Sequence, residues 1–144
     1  MTTASAARRA PMQARSRQTV TRILDAAAAI ADEQGVDAAT TRAIADRAGV
    51  SYPSLYRFFP DREAILGELL ARHCSEMDAR CAEAEKTWRI GSVADLLNNE
   101  LDLQSHYYRR HPGSARMWMG GRTSPTVTEH VRARMKHLAD RLDR

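Results

Sequence analysis

An all-α fold is predicted by two features of the 144-residue sequence and one absence. Apolar residues recur at three- and four-residue spacing in nearly every segment, and Gly, Pro, Ser or Thr stands where each run stops. No stretch alternates apolar and polar residues for long enough to argue a strand. The helices follow in order. Val20, Ile23, Leu24, Ala27, Ile30 and Ala31 form one stripe, which predicts a first helix over about 17–34, with Gly35 as its left-handed stop. Thr40 can cap a second helix of about eight residues that turns Ile44, Ala45 and Ala48 inward, and Gly49 supplies the positive φ that ends it. Ser51 caps a third helix. Pro53 sits near its start, where a missing N–H costs nothing, and Leu55, Phe58 and Phe59 are available to pack before Pro60 stops it.

Asp61 caps a long fourth helix whose stripe runs Leu66, Leu70, Cys74, Met77, Cys81, Ala84 and Trp88, until Gly91-Ser92 breaks it. Val93, Leu97, Leu101 and Tyr108 give a fifth amphipathic helix, ended by His111-Pro112-Gly113. A short piece with Met117, Trp118 and Met119 leads to Gly120-Gly121. Ser124-Pro125 then starts a last helix with Val127, Val131, Met135, Leu138 and Leu142 on one face.

Composition bounds what such a fold can do. A chain of this length with 43% apolar residues is globular, with room for one domain or a small domain on a partial second. No apolar run approaches the roughly 18 residues of a membrane span, and the first twenty residues lack the apolar centre of a secretory signal, so the cytoplasm is the expected compartment. The net charge of +4 is uneven: Arg8, Arg9, Arg15, Arg17 and Arg22 precede the first acid, Asp25. Residues 1–15 read as a flexible basic arm, either a solvated tail or a phosphate-seeking one, and superficially like an organelle transit peptide.

The stretch TTRAIADRAGVSYPSLYRFF, residues 40–59, joins two short helices by a tight turn containing glycine. That is the pattern of a helix-turn-helix, or of a plain helical hairpin within a bundle. The chemistry of the second helix favours the former. With Leu55, Phe58 and Phe59 inward, Tyr52, Pro53, Ser54, Tyr56 and Arg57 are left for the outer side, beside a helix N-terminus with free N–H groups. Hydroxyls bond phosphate, a Pro ring or Tyr edge touches a thymine methyl, and Arg grips guanine or phosphate. These are the groups a protein needs in the major groove of double-stranded DNA.

The segment RILDAAAAIADEQGVDAATTRAIADRAGVSYPSLYRFFPDREAILGEL, within about residues 16–70, resembles the N-terminal domain of the tetracycline-repressor (TetR) family of bacterial transcriptional regulators. The resemblance rests on the ordered series I-L-x-A-A, a glycine after the first helix, T-T-R-x-I-A-x-x-A-G-V, P-S-L-Y, an aromatic pair and I-L-x-x-L. It implies a three-helix DNA-binding domain over 16–62, joined by the long fourth helix to a helical regulatory and dimerisation domain over 63–144. It assigns DNA contacts to Thr40, Thr41, Arg42, Tyr52, Pro53, Ser54, Tyr56 and Arg62, with Tyr56 at the family's phosphate-binding tyrosine and Arg62 where a lysine more often meets the backbone, and Ser51 and Arg57 join them as candidates on the same helix-turn-helix. The family commonly has Ser-Lys or Asn-Lys before the fourth helix. Here it is Asp61-Arg62, which keeps the charge but changes the donor. The family's partner contact usually comes from its last two helices, so the second domain reads as shortened.

The function so implied is a transcriptional regulator, most often a ligand-responsive repressor that binds a palindromic operator as a homodimer, with no cofactor and no membrane partner. The alternative is a helix-turn-helix protein without an effector, its C-terminal part serving assembly alone. Trp88, Tyr107, Tyr108, Met117 and Trp118 are candidates for lining a pocket for a small hydrophobic effector, and equally for plain core. Cys74 and Cys81, about 10.5 Å apart along one helix, cannot bond within it and read as packed small hydrophobes rather than thiol sensors. His73, His106 and His111 add no zinc-ligand spacing, and no nucleophile elbow, phosphate loop or H-E-x-x-H argues for an enzyme.

Overall fold

A computed structural model describes residues 3–120 and 125–142, with side chains described for 13–119 and 128–140. The expected roles of Arg8, Arg9, Gly121, Ser124, Val127 and Leu142 therefore fall outside the described positions or side chains. Among the described residues there are seven α-helices and no strand: α1 (Thr3–Gln34), α2 (Thr41–Ala48), α3 (Tyr52–Phe58), α4 (Arg62–Glu85), α5 (Val93–Arg110), α6 (Pro112–Gly120) and α7 (Pro125–Leu142). None is long and apolar enough to cross a membrane.

Chain contacts divide the molecule into two compact units, Met1–Glu68 and Leu69–Arg144. That division falls inside α4, a few residues beyond the domain boundary expected at 62/63, and Ile65 in the first turns of α4 is fully buried. In the first unit α1 starts at Thr3, not near residue 17, so the segment expected as a flexible arm is helical. Five alanines within the first fourteen residues favour that continuation. Ile23, Leu24, Ala27, Ile30 and Ala31 of α1, Ile44, Ala45 and Ala48 of α2 and Leu55 of α3 are all buried, and α2 packs on both α1 and α3. Ala27, Ala31, Ala45 and Ala48 are the small residues among them. They let short helices cross closely around Ile44 and Leu55, both fully buried.

Caps set the boundaries as the sequence predicts. Thr40 Oγ1 accepts the Ala43 N–H at 3.2 Å, and Gly49 closes α2 at φ 64° while the Val50 N–H reaches back to the Ala45 carbonyl. Ser51 Oγ accepts the Ser54 N–H at 3.3 Å to start α3, and Phe59, preceding Pro60, takes the extended conformation that ends it. Asp61 Oδ1 accepts the Ala64 N–H at 2.8 Å to open α4.

The second unit departs from the predicted stripes. α4 ends at Glu85, short of Trp88, where Thr87 donates from both N–H and hydroxyl to the Ala84 carbonyl and tightens the last turn. Its buried face includes Leu69, Leu70, Cys74, Met77 and Cys81, while Leu66 and Ala84 are only half-buried. α5 turns Leu96, Glu100 and Tyr107 inward. The predicted inner residues Val93, Leu97 and Leu101 stand 55, 48 and 62% exposed. The physical reason is a buried ion network: Arg134 of α7 bonds Glu100 of α5 and Glu85 of α4, and a face carrying Glu100 must point inward to meet it. α7 is affected likewise. Leu138 is buried, but Val131 and Met135 remain exposed.

Candidate DNA-binding site

Helices α2 and α3 are joined by three residues, Gly49, Val50 and Ser51, the length and glycine content of a helix-turn-helix turn. Because Leu55 and Phe59 are buried and Phe58 is half-buried, α3 presents Tyr52, Pro53, Tyr56 and Arg57 outward, with Ser54 half-buried between them. Arg42 and Thr40 are exposed at the start of α2, and Thr41 is half-buried there.

The structure joins several of these side chains. Thr41 Oγ1 and the Tyr52 hydroxyl lie 2.9 Å apart, so one donates to the other. The rings of Tyr52 and Tyr56, one turn apart, meet edge to face at 5.1 Å and 66°. The Tyr52 phenol is held below its ordinary range, first by the hydrogen bond with Thr41 and then by one with Tyr56. Thr40 and Ser51 use their oxygens as caps and keep their O–H protons to donate. The Arg57 guanidinium lies over the Phe58 ring at 5.8 Å.

Arg62 is placed differently from the other candidates. Its Nε donates to the Ala39 carbonyl at 2.9 Å, Nη2 to the Val36 carbonyl at 2.7 Å and Nη1 to Glu63 at 3.1 Å. Two of these three bonds hold the short 3-10 turn Val36–Ala38 and its flank. Sequence reading missed a second clamp, the fork of Arg47 on Glu33 with both N···O distances 2.6 Å, which ties α2 to α1. That bond, ahead of the charge of Arg47, holds the Glu33 carboxyl below its ordinary range. Partners fourteen residues apart share no motif, so no local pattern signals it.

Of the five effector-pocket candidates, two line a cavity in the second unit. Tyr108 and Trp118 border a space of about 70 Å³, together with Met77, Cys81, Glu100 and Arg134. Tyr107 and Met117 are buried in packing, and none of Trp88, Tyr107 and Met117 is among its lining residues. Tyr107 and Tyr108 flank buried His73, their hydroxyls 3.3 Å and 3.2 Å from its Nδ1 and Nε2. Burial opposes the Arg134 charge, but the bonds with Glu100 and Glu85 outweigh it and keep the guanidinium firmly protonated. His137 Nε2 adds a 2.8 Å contact to Glu85.

Comparison with known proteins agrees with this geometry. Residues 23–69 match the family described as bacterial regulatory proteins, tetR family. The chain is 45% identical over 85 residues to the HTH-type transcriptional repressor KstR of Mycobacterium tuberculosis, a match covering 56% of this chain and 39% of that protein. It is 27% identical over 122 residues to the class D tetracycline repressor protein of Escherichia coli, covering 82% of this chain and 52% of the relative. The chain thus spans roughly two-fifths to one-half of these curated relatives. A crystal structure of a TetR-family transcriptional regulator from Streptomyces coelicolor superposes on 80% of the chain with a TM-score of 0.60 and 32% identity, and 68% of that protein is covered. Helix-turn-helix geometry, family match and extended structural likeness converge, and the chain belongs to the TetR family of bacterial transcriptional regulators.

Proposed function

We propose that the chain is a cytoplasmic transcriptional repressor that binds a palindromic operator as a homodimer, reading bases with Arg42, Tyr52, Pro53 and Ser54 and taking its position on the phosphates with Thr40, Thr41, Ser51, Tyr56 and Arg57. Arg62 serves by holding the turn before α2. The observation that carries the reading is the outer face of α2 and α3, where hydroxyl, aromatic and guanidinium groups stand together beside a three-residue turn. One such motif buries too little surface for tight specific binding, which is why two copies on half-sites about one helical turn apart are the expected arrangement.

Release by a small hydrophobic effector is the finer part of the proposal, and Tyr108 and Trp118 on the cavity of the second unit support it. Effector-free binding is favoured by the size of that cavity: about 70 Å³ holds a few waters, against the roughly 300–1,000 Å³ of a drug-sized site. Selection of bound duplexes from a randomised library, followed by affinity measurements at several salt concentrations, tests the DNA reading. An enriched inverted repeat bound with a steep salt dependence is expected, and no enrichment would refute it. Repeating the titration with a panel of lipophilic small molecules separates the two variants, since only a ligand-responsive repressor loses operator affinity.

A further inference from the structure

Tyr52 is the bulkiest group at the reading end of α3, 44% exposed, yet its hydroxyl is engaged 2.9 Å from Thr41 Oγ1, on the other helix of the motif. Its ring is steadied a second time by the edge-to-face pairing with Tyr56 at 5.1 Å. A tyrosine side chain has two main rotations to fix, and one tether at the tip plus one ring neighbour fixes both. With the polar tip occupied, what Tyr52 offers outward is ring carbon and C–H, beside the pyrrolidine ring of exposed Pro53.

Among the four bases only thymine presents an apolar group, its 5-methyl, in the major groove. We infer that Thr41 is a positioning residue for Tyr52, and that the Tyr52 ring held in this way recognises a thymine methyl in each half-site. The inference rests on the DNA-reading proposal above and adds two things to it: the chemical group that Tyr52 selects, and a role for Thr41 that acts through Tyr52 rather than through phosphate alone. The bond also spans α2 and α3, so it fixes the ring against both helices of the motif rather than against α3 only. When Tyr52 donates the shared proton, Thr41 keeps its own O–H to donate outward, so backbone contact by Thr41 is compatible with the tether.

The test uses the duplex enriched by the wild-type chain, with each thymine in turn replaced by deoxyuridine, which deletes the methyl and keeps every hydrogen-bonding edge. At one position per half-site the replacement should weaken wild-type binding about fourfold, as expected for one methyl removed from apolar contact. Tyr52→Ala should bind the thymine and uracil duplexes equally. Thr41→Val should shrink the thymine preference while its affinity for a scrambled duplex falls no more than the phosphate bond requires, and Thr41→Ser, which keeps the hydroxyl, should restore it. Thermal melts of each variant confirm that the domain is folded. An enriched site indifferent to uracil at every position overturns the inference alone. A Thr41→Val variant that weakens thymine and uracil duplexes by the same factor overturns the positioning role, and a library with no enriched site overturns the DNA reading and this inference together.

Discussion

Single side chains carry work here that their position in a motif does not announce. Arg62 stands where the family resemblance implies contact with the DNA backbone, but its donors go to the carbonyls of Val36 and Ala39, 26 and 23 residues earlier in the chain. Those acceptors belong to a turn whose shape only the folded chain reveals, so the charge was legible and its use was not. Arg62→Ala should therefore destabilise the first unit by about 2 kcal/mol, since bonds from a charged donor are lost and part-buried carbonyls are left unpaired. Arg62→Lys should recover little, because an ammonium cannot copy the fork. Urea unfolding followed by circular dichroism reads both. Cys74 and Cys81, by contrast, match their sequence reading as packed residues. Burial, followed by the charge of Asp78, pushes the Cys74 thiol up to about 11, and burial, followed by that of Glu100, pushes Cys81 up to about 12. The folded chain should thus resist a thiol reagent at pH 8 and react fully once unfolded. Because the folded values lie above the ordinary 9.0, the fold holds these protons more tightly than the unfolded chain does. Their contribution to stability is complete below about pH 9 and is lost as pH rises through the folded values, a decline that alkaline denaturation curves should show.

At the scale of elements, helix existence and caps were legible and the inward face of α5 was not. Thr40, Gly49, Ser51 and Asp61 act within four residues of themselves, so their effect is written in the local sequence. The α5 register depends on Arg134, 34 residues beyond Glu100, and hydrophobic spacing cannot detect a buried ion network. Val93, Leu97 and Leu101 form the cleaner apolar stripe, yet Leu96 is the leucine that packs. Leu96→Ala should cost about 3 kcal/mol through the cavity it leaves, whereas Leu97→Ala should cost under about 1 kcal/mol. Denaturation midpoints of the two variants check the assignment directly, and equal losses would return α5 to the register that its leucines suggest. In the recognition motif the same local logic holds for most positions, with Ser54, expected outward, and Phe58, expected inward, both half-buried. Tyr52, Pro53, Tyr56 and Arg57 are outward, as the inward Leu55 and Phe59 require, but the link from Tyr52 to Thr41 crosses between helices and has no signature in spacing.

For the whole molecule, charge and assembly govern what the proposed interface can do. The chain is basic, and α1 carries Arg15, Arg17 and Arg22 on exposed positions of a helix that begins well before the three-helix core. Removing residues 1–15 takes away Arg8, Arg9 and Arg15. If each meets a phosphate, the slope of log affinity against log salt should become shallower by up to about 2.7, and an unchanged slope would make the segment a bystander. Division of the chain into two units lets the first be judged by DNA binding and the second by assembly and effector response. The proposal's central claim is that the outer face of α2 and α3 reads base sequence. Its most direct test is the ratio of affinities for the selected duplex and a scrambled one, measured by fluorescence anisotropy near physiological salt for the wild-type chain and for a Tyr52→Ala, Ser54→Ala double variant. The wild-type ratio should reach about 10³, and the variant's should fall to within about tenfold of unity with its scrambled-duplex affinity unchanged. A wild-type ratio near one, or a double variant that keeps the full preference, would contradict the claim.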